Sequence, residues 1–333
     1  MLQERVLSAR TVHFSRSEVM WHCLEDLASE AVPERPATGD KQARMETAQV
    51  GDYTDIRITV ARAQQDGLTE RHLARLRADW RRVLAHYTRC GLTQQRDKLV
   101  ALSGIVHRLE AVLGDECLAG LWRSEMPACL AWYADLGDVD QGKDERQQGM
   151  APQPEVWLAP SWSWASRNIP IEYPWYDDET VRHATVVMAA VESQANGLAL
   201  SGGMVIRGPL VDLCFDMKKN GEVGNEVKGE LGFVGDGIEA EFTVWMDGAV
   251  GHDSMMTKAL LILENYRFIF LLIQPSPVCS KTESDSVRFQ RTGLGVMKRV
   301  FRAGVDDVEA LDFVSGATSE DLDVKRSTWA PYI

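Results

Sequence analysis

Apolar residues recur every three or four positions through the first part of the chain, and beyond Trp157 the spacing shifts toward alternation. Near the start, Thr11-Val12-His13-Phe14 suits a short strand. Ser15 and Glu18 have the spacing of a capping box, and Val19, Met20, Cys23, Leu24 and Leu27 follow at helical intervals. That pattern predicts a helix to about Glu30, ahead of Pro33 and Pro36. Residues 31–66 read as a polar loop and a lead-in, with few large apolar side chains before Asp52.

The clearest helix follows Gly67, with Thr69 as N-cap. Leu73, Leu76, Trp80, Val83, Leu84 and Tyr87 form its apolar stripe, and Gly91 stands where a C-cap glycine would. Arg71, Arg75, Arg77, Arg81 and Arg82 fall mainly off that stripe, as on a solvated face. Thr93 can cap a second helix through Leu99, Leu102, Val106, Leu109 and Leu113, closed by Gly114. Gly104 inside it predicts the close approach of another backbone, since glycine there costs about 1 kcal/mol relative to alanine. A third helical region is expected through Cys117, Leu118, Leu121, Trp122, Leu130 and Tyr133, with Pro127 at a helix start.

Residues 137–156 are charged, glutamine-rich and broken by glycine and proline, the composition of a linker. Strands are then predicted over 185–191, 198–200 and 204–208, the first two joined around Asn196-Gly197. Further strands fall at 238–245, 259–263, 266–273 and 294–301, although 260–273 fits a buried helix equally well. Lys218 to Gly232 reads as a polar excursion. The expected fold class is α+β: an N-terminal helical, bundle-like region over 67–136, then a mostly antiparallel β-rich region over 157–312 and a tail over 313–333.

Between the two patterns lies Ala159-Pro160-Ser161-Trp162-Ser163-Trp164-Ala165-Ser166. Strand spacing would put both indoles on one face and Ser161, Ser163 and Ala165 on the other. Burying one such ring is worth at most roughly 4–6 kcal/mol, enough for the pair to fix how two layers dock.

Composition narrows the function classes. A formal net charge of −13 and a pI near 5.1 oppose phosphate contacts, so no nucleic-acid partner is expected, nor binding to an anionic membrane. No apolar run approaches the length of a membrane span, and the charged start lacks the apolar core of a signal peptide. Cys23, Cys90, Cys117, Cys129, Cys214 and Cys279 are scattered without a CxxC pair, which suits a reducing, cytoplasmic setting with no disulfides.

Candidate chemistry is sparse. His86 and Cys90 have metal-ligand spacing on one helix, but no second pair completes a structural site. The adjacent His22 and Cys23 would diverge on a helix, and His107 reads as a helix-surface residue. Ser161, Ser163 and Ser166 lack a GxSxG elbow and read as backbone-bonded or indole-flanking residues. Gly293-Leu294-Gly295 lacks the third glycine of a dinucleotide loop, its place taken by Lys298, and reads as a strand close to a neighbouring backbone. Asp236-Gly237 and Asp247-Gly248 are turn signals without the alternating ligands of a calcium loop. No catalytic, cofactor-binding or metal-binding residue is assigned, and no cofactor is implied.

Several of these segments resemble fungal heterokaryon-incompatibility (HET) proteins, in the region that follows their signature domain. The residues are Gln3 to Arg10 with Val19 to Cys23, and Asp97-Lys98-Leu99-Val100-Ala101-Leu102-Ser103-Gly104-Ile105, which is similar to a DKLPALSGIA-like helix. Ala119-Gly120-Leu121-Trp122 and Ala159 to Ser166 resemble AGLW and APSWSWAS segments. All stand in the family's order between Leu2 and Ser166. The family's HET domain, a TIR-like α/β fold linked to NAD cleavage and programmed cell death, has hallmark LSYxWG-like and WIDAxCINQ-like segments with no counterpart here. The resemblance therefore implies a truncated product: a non-catalytic accessory region, structural, regulatory or for self/non-self recognition, with protein partners in incompatibility signalling. Residues 1–30 would then be the remnant of the end of a HET domain with its following strand and helix; Gln3-Glu4 is what is left of the domain's last conserved segment, and Glu4 has no surrounding pocket. Two alternatives stay open: a TIR-like NAD-cleaving effector if the gene product extends upstream, and an unrelated β-rich protein-binding module.

Overall fold

Strand, not helix, is the state of Val19–Cys23 in the computed structural model, which describes residues 2–14, 16, 18–23, 27–30, 54–92, 94–135, 157–174, 180–194, 198–215, 222–223, 226–232, 239–247, 255–265, 267–276 and 288–298. The chain divides into two compact units, Met1–Gly91 with Val100–Glu116, and Leu92–Leu99 with Cys117–Ile333. The second unit thus takes in Leu92–Leu99, a stretch inside the expected helical region over 67–136.

In the first unit a short helix α1 (Leu2–Leu7) leads into the strands β1 (Arg10–Phe14), β2 (Val19–Cys23) and β3 (Leu27–Ser29), paired antiparallel in chain order. Val12 faces Trp21 across β1 and β2, and Phe14 faces Val19. Val19, Met20 and Cys23 fit a helical spacing, but Val19, Trp21 and Cys23 also alternate, and the neighbouring strand selects the second period. Val12, Phe14 and Trp21 remain exposed on this sheet.

Helix α2 (Thr54–Asp66) occupies part of what reads as lead-in; Ile56, Val60 and Ala63, spaced four and three apart, bury its inner face. Helix α3 (Glu70–Arg89) begins at Thr69, whose Oγ1 accepts from the His72 backbone N–H at 3.3 Å, as the capping reading requires. Its end differs from expectation. Cys90 is extended and its N–H donates to the Tyr87 carbonyl, so Gly91 does not form a left-handed cap. The arginine face is also not wholly solvated, because Arg75 and Arg82 flank the fully buried carboxylate of Asp79 at 3.2 and 3.0 Å.

Helix α4 (Ser103–Leu113) buries Ile105 and Leu109 and is preceded by 3₁₀ turns at Gln95–Asp97 and Val100–Leu102. Gly114 closes it at φ 61°, its N–H donating to the Glu110 carbonyl. In this unit α1 packs on α2 and α4, and α3 on α2, so the helices share the unit with the three-stranded sheet.

The second unit has no counterpart to the expected third helix. Cys117 to Tyr133 instead forms β4 (Cys117–Leu118), β5 (Leu121–Trp122), 3₁₀ turns at Arg123–Glu125 and Ala128–Leu130, and the start of β6 (Tyr133–Ala134). Ala119 and Gly120, at φ 48° and 87°, make a two-residue reversal there that no helix can accommodate. β7 (Ile171–Glu172) pairs with β6. Then follow β8 (Val181–Arg182), the hairpin β9 (Thr185–Ser193) and β10 (Ala199–Arg207), and β11 (Leu210–Phe215).

The polar excursion to Gly232 contains β12 (Glu222–Val223) and β13 (Glu226–Gly232), which are strands because β14 (Glu239–Met246) supplies a ladder for β13. β15 (Met255–Glu264) and β16 (Arg267–Pro275) resolve the helix–strand ambiguity as a hairpin, and β17 (Phe289–Lys298) follows. These strands make an eight-stranded sheet in the order β11-β15-β16-β17-β14-β13-β12, with β8 beside β15. Leu260 to Leu263 and Phe268 to Ile273 are buried as unbroken runs, so both sheet faces are covered there. Every pairing among the described residues is antiparallel, and the fold class is α+β. The readings of 31–52 as a loop, 137–156 as a linker, Asn196-Gly197 as a turn and 313–333 as a tail lie outside the described residues.

Candidate functional site

The stretch from Pro160 to Arg167 brings buried serine and tryptophan side chains of the second unit together. It is a tight turn followed by a 3₁₀ helix (Trp164–Ser166), and not the strand its alternation suggests. Two consecutive reversals close it, Ser163 N–H to the Pro160 carbonyl at 2.8 Å and Ser166 N–H to the Ser163 carbonyl at 3.1 Å. Trp162, Ser163 and Trp164 are all fully buried, so the indoles and the serine between them point into the same core.

That core ties the turn to the β4–β5 reversal. Ser163 Oγ donates to the Ala119 carbonyl at 2.6 Å and accepts from the Ala165 N–H at 3.1 Å, while Trp164 Nε1 donates to the Gly120 carbonyl at 3.3 Å. A side chain at position 120 would run into the Trp164 indole, so the glycine answers to close packing as well as to its positive φ. Trp132 Nε1 donates to the Trp162 carbonyl at 3.0 Å. Trp162's own N–H is buried with no acceptor among the described residues, which leaves packing as its contribution.

Arg291, on β17, sits at the centre of this cluster with no exposed surface. Its guanidinium stacks 3.4 Å from the centre of the Trp132 ring and donates to Asp247 Oδ2 at 2.7 Å and Oδ1 at 3.2 Å. The remaining donors reach the carbonyls of Leu130, at 2.6 Å, and Trp132. Burial lowers the pKa of this guanidinium, and the neighbouring Arg167 adds to that; Asp247, by charge and hydrogen bonding, and Tyr173 oppose the shift. Lys98 is also buried and donates to the Arg167 carbonyl just past the 3₁₀ helix; burial draws its pKa down to about 8.

Chemically, this assembly binds itself. Ser163 hydrogen-bonds to backbone, as does Ser166 Oγ to the Ser163 carbonyl at 2.7 Å, and Ser161 Oγ accepts from the Arg291 backbone N–H at 3.4 Å. Among the described residues none of these bonds joins a serine to a histidine. Outside the cluster, His183 Nε2 lies 2.6 Å from Glu264 Oε2, each side chain about one-fifth exposed (20% and 19%). The adjacent Arg182 reaches Glu125 at 3.3 Å. The two pairs hold β8 against β15 and the 3₁₀ turn at Arg123–Glu125.

Glu4 is exposed on α1 and His107 is exposed on α4. Cys90 Sγ donates to the His86 carbonyl at 3.5 Å. Gly293 has the carbonyl of Trp245 where a Cβ would stand, which is the close backbone approach expected of it. His22 lies on β2, and Asp236-Gly237 is outside the described residues. Asp247, read as a turn residue, is the buried partner of Arg291. Among the described residues no group of three or more His, Cys, Asp and Glu could hold a metal ion, and no helix is long and apolar enough to cross a membrane.

Sequence reasoning missed Arg291–Asp247 and His183–Glu264, whose members are 44 and 81 residues apart, so no local spacing pairs them. Comparison with family models, with curated proteins and with solved structures found no match.

Proposed function

We propose that this chain is a non-catalytic accessory region of a heterokaryon-incompatibility-type protein, acting as a scaffold for recognition or regulation in cell-death signalling. One observation carries the reading: three segments that resemble the family, each unremarkable alone, hydrogen-bond around one buried turn. Ser163 and Trp164 bond to Ala119 and Gly120, and Lys98 bonds to the carbonyl of Arg167 beside Ser166. Residues used in this way maintain a shape, and a shape is what an accessory region contributes.

Incubation of the purified chain with NAD tests the reading. NAD is expected to persist as in a protein-free control, for the wild type and for Glu4→Ala alike. NAD hydrolysis by the wild type that disappears in Glu4→Ala would overturn it in favour of an effector enzyme.

A further inference from the structure

We draw no further inference here: the strongest candidate, the exposed apolar face that Val12, Phe14 and Trp21 form on the three-stranded sheet β1–β2–β3, carries nothing because nothing in the structure shows what covers it.

Discussion

Asp247 and Arg291 meet at 2.7 Å where neither side chain reaches water. Such a pair is costly to break one partner at a time, because the survivor keeps a buried charge without its counter-ion. Arg291→Met should therefore lower the unfolding free energy in urea by about 3–5 kcal/mol. Adding Asp247→Leu should cost less than the sum of the two single changes, since the second substitution removes the stranded carboxylate. Strict additivity in that cycle would mean the two groups do not interact. Neither residue was legible as a partner. Asp247 precedes a glycine and reads as a turn, Arg291 sits in an ordinary strand pattern, and only the β14–β17 ladder brings the two together.

At the scale of elements, the 160–167 turn and the β4–β5 reversal act as one packed piece. Trp162→Ala and Trp164→Ala should each destabilise the fold by about 3–5 kcal/mol, read as a lowered thermal midpoint. Unchanged midpoints in both variants would place the indoles outside the core. Gly120→Ala meets two penalties, a left-handed backbone and a collision with the Trp164 indole. It should cost on the order of 2–4 kcal/mol by chemical denaturation, against a few tenths for an alanine at a surface glycine of ordinary φ. The burial of these indoles was legible from the sequence; their geometry was not. Alternation in Ser-Trp-Ser-Trp suggests a strand, yet backbone bonds at three-residue spacing curl it into a turn. Cys117 to Tyr133 misled for a related reason. Its apolar positions fit a helical period, but the left-handed Ala119-Gly120 pair reverses the chain before one can propagate.

Across the whole molecule, stability should carry the signature of one buried lysine. Lys98 sheds its proton near pH 8 in the folded chain, whereas an unfolded lysine holds it to an ordinary value of about 10.4. Between those values the unfolded state binds more protons, so this group makes stability rise with pH and withdraws that gain as pH falls through 8. The rise should be on the order of 1–3 kcal/mol. Urea midpoints from pH 7.5 to 10 should climb more steeply in the wild type than in Lys98→Met; parallel profiles would exclude the effect. What the sequence alone determined is what short-range periodicity carries: the capped helix α3, the left-handed stop of α4 at Gly114, and the apolar runs that become β15 and β16. The tertiary structure alone decided the strand state of Val19–Cys23, the curl of the tryptophan turn and the place of Arg291. Neighbouring strands set the first, and the bonds that anchor the other two span 44 to 161 residues, far beyond any local pattern. The stretch from Ala159 to Ser166 belongs to both accounts: its composition marked it for burial, and its partners gave it its shape.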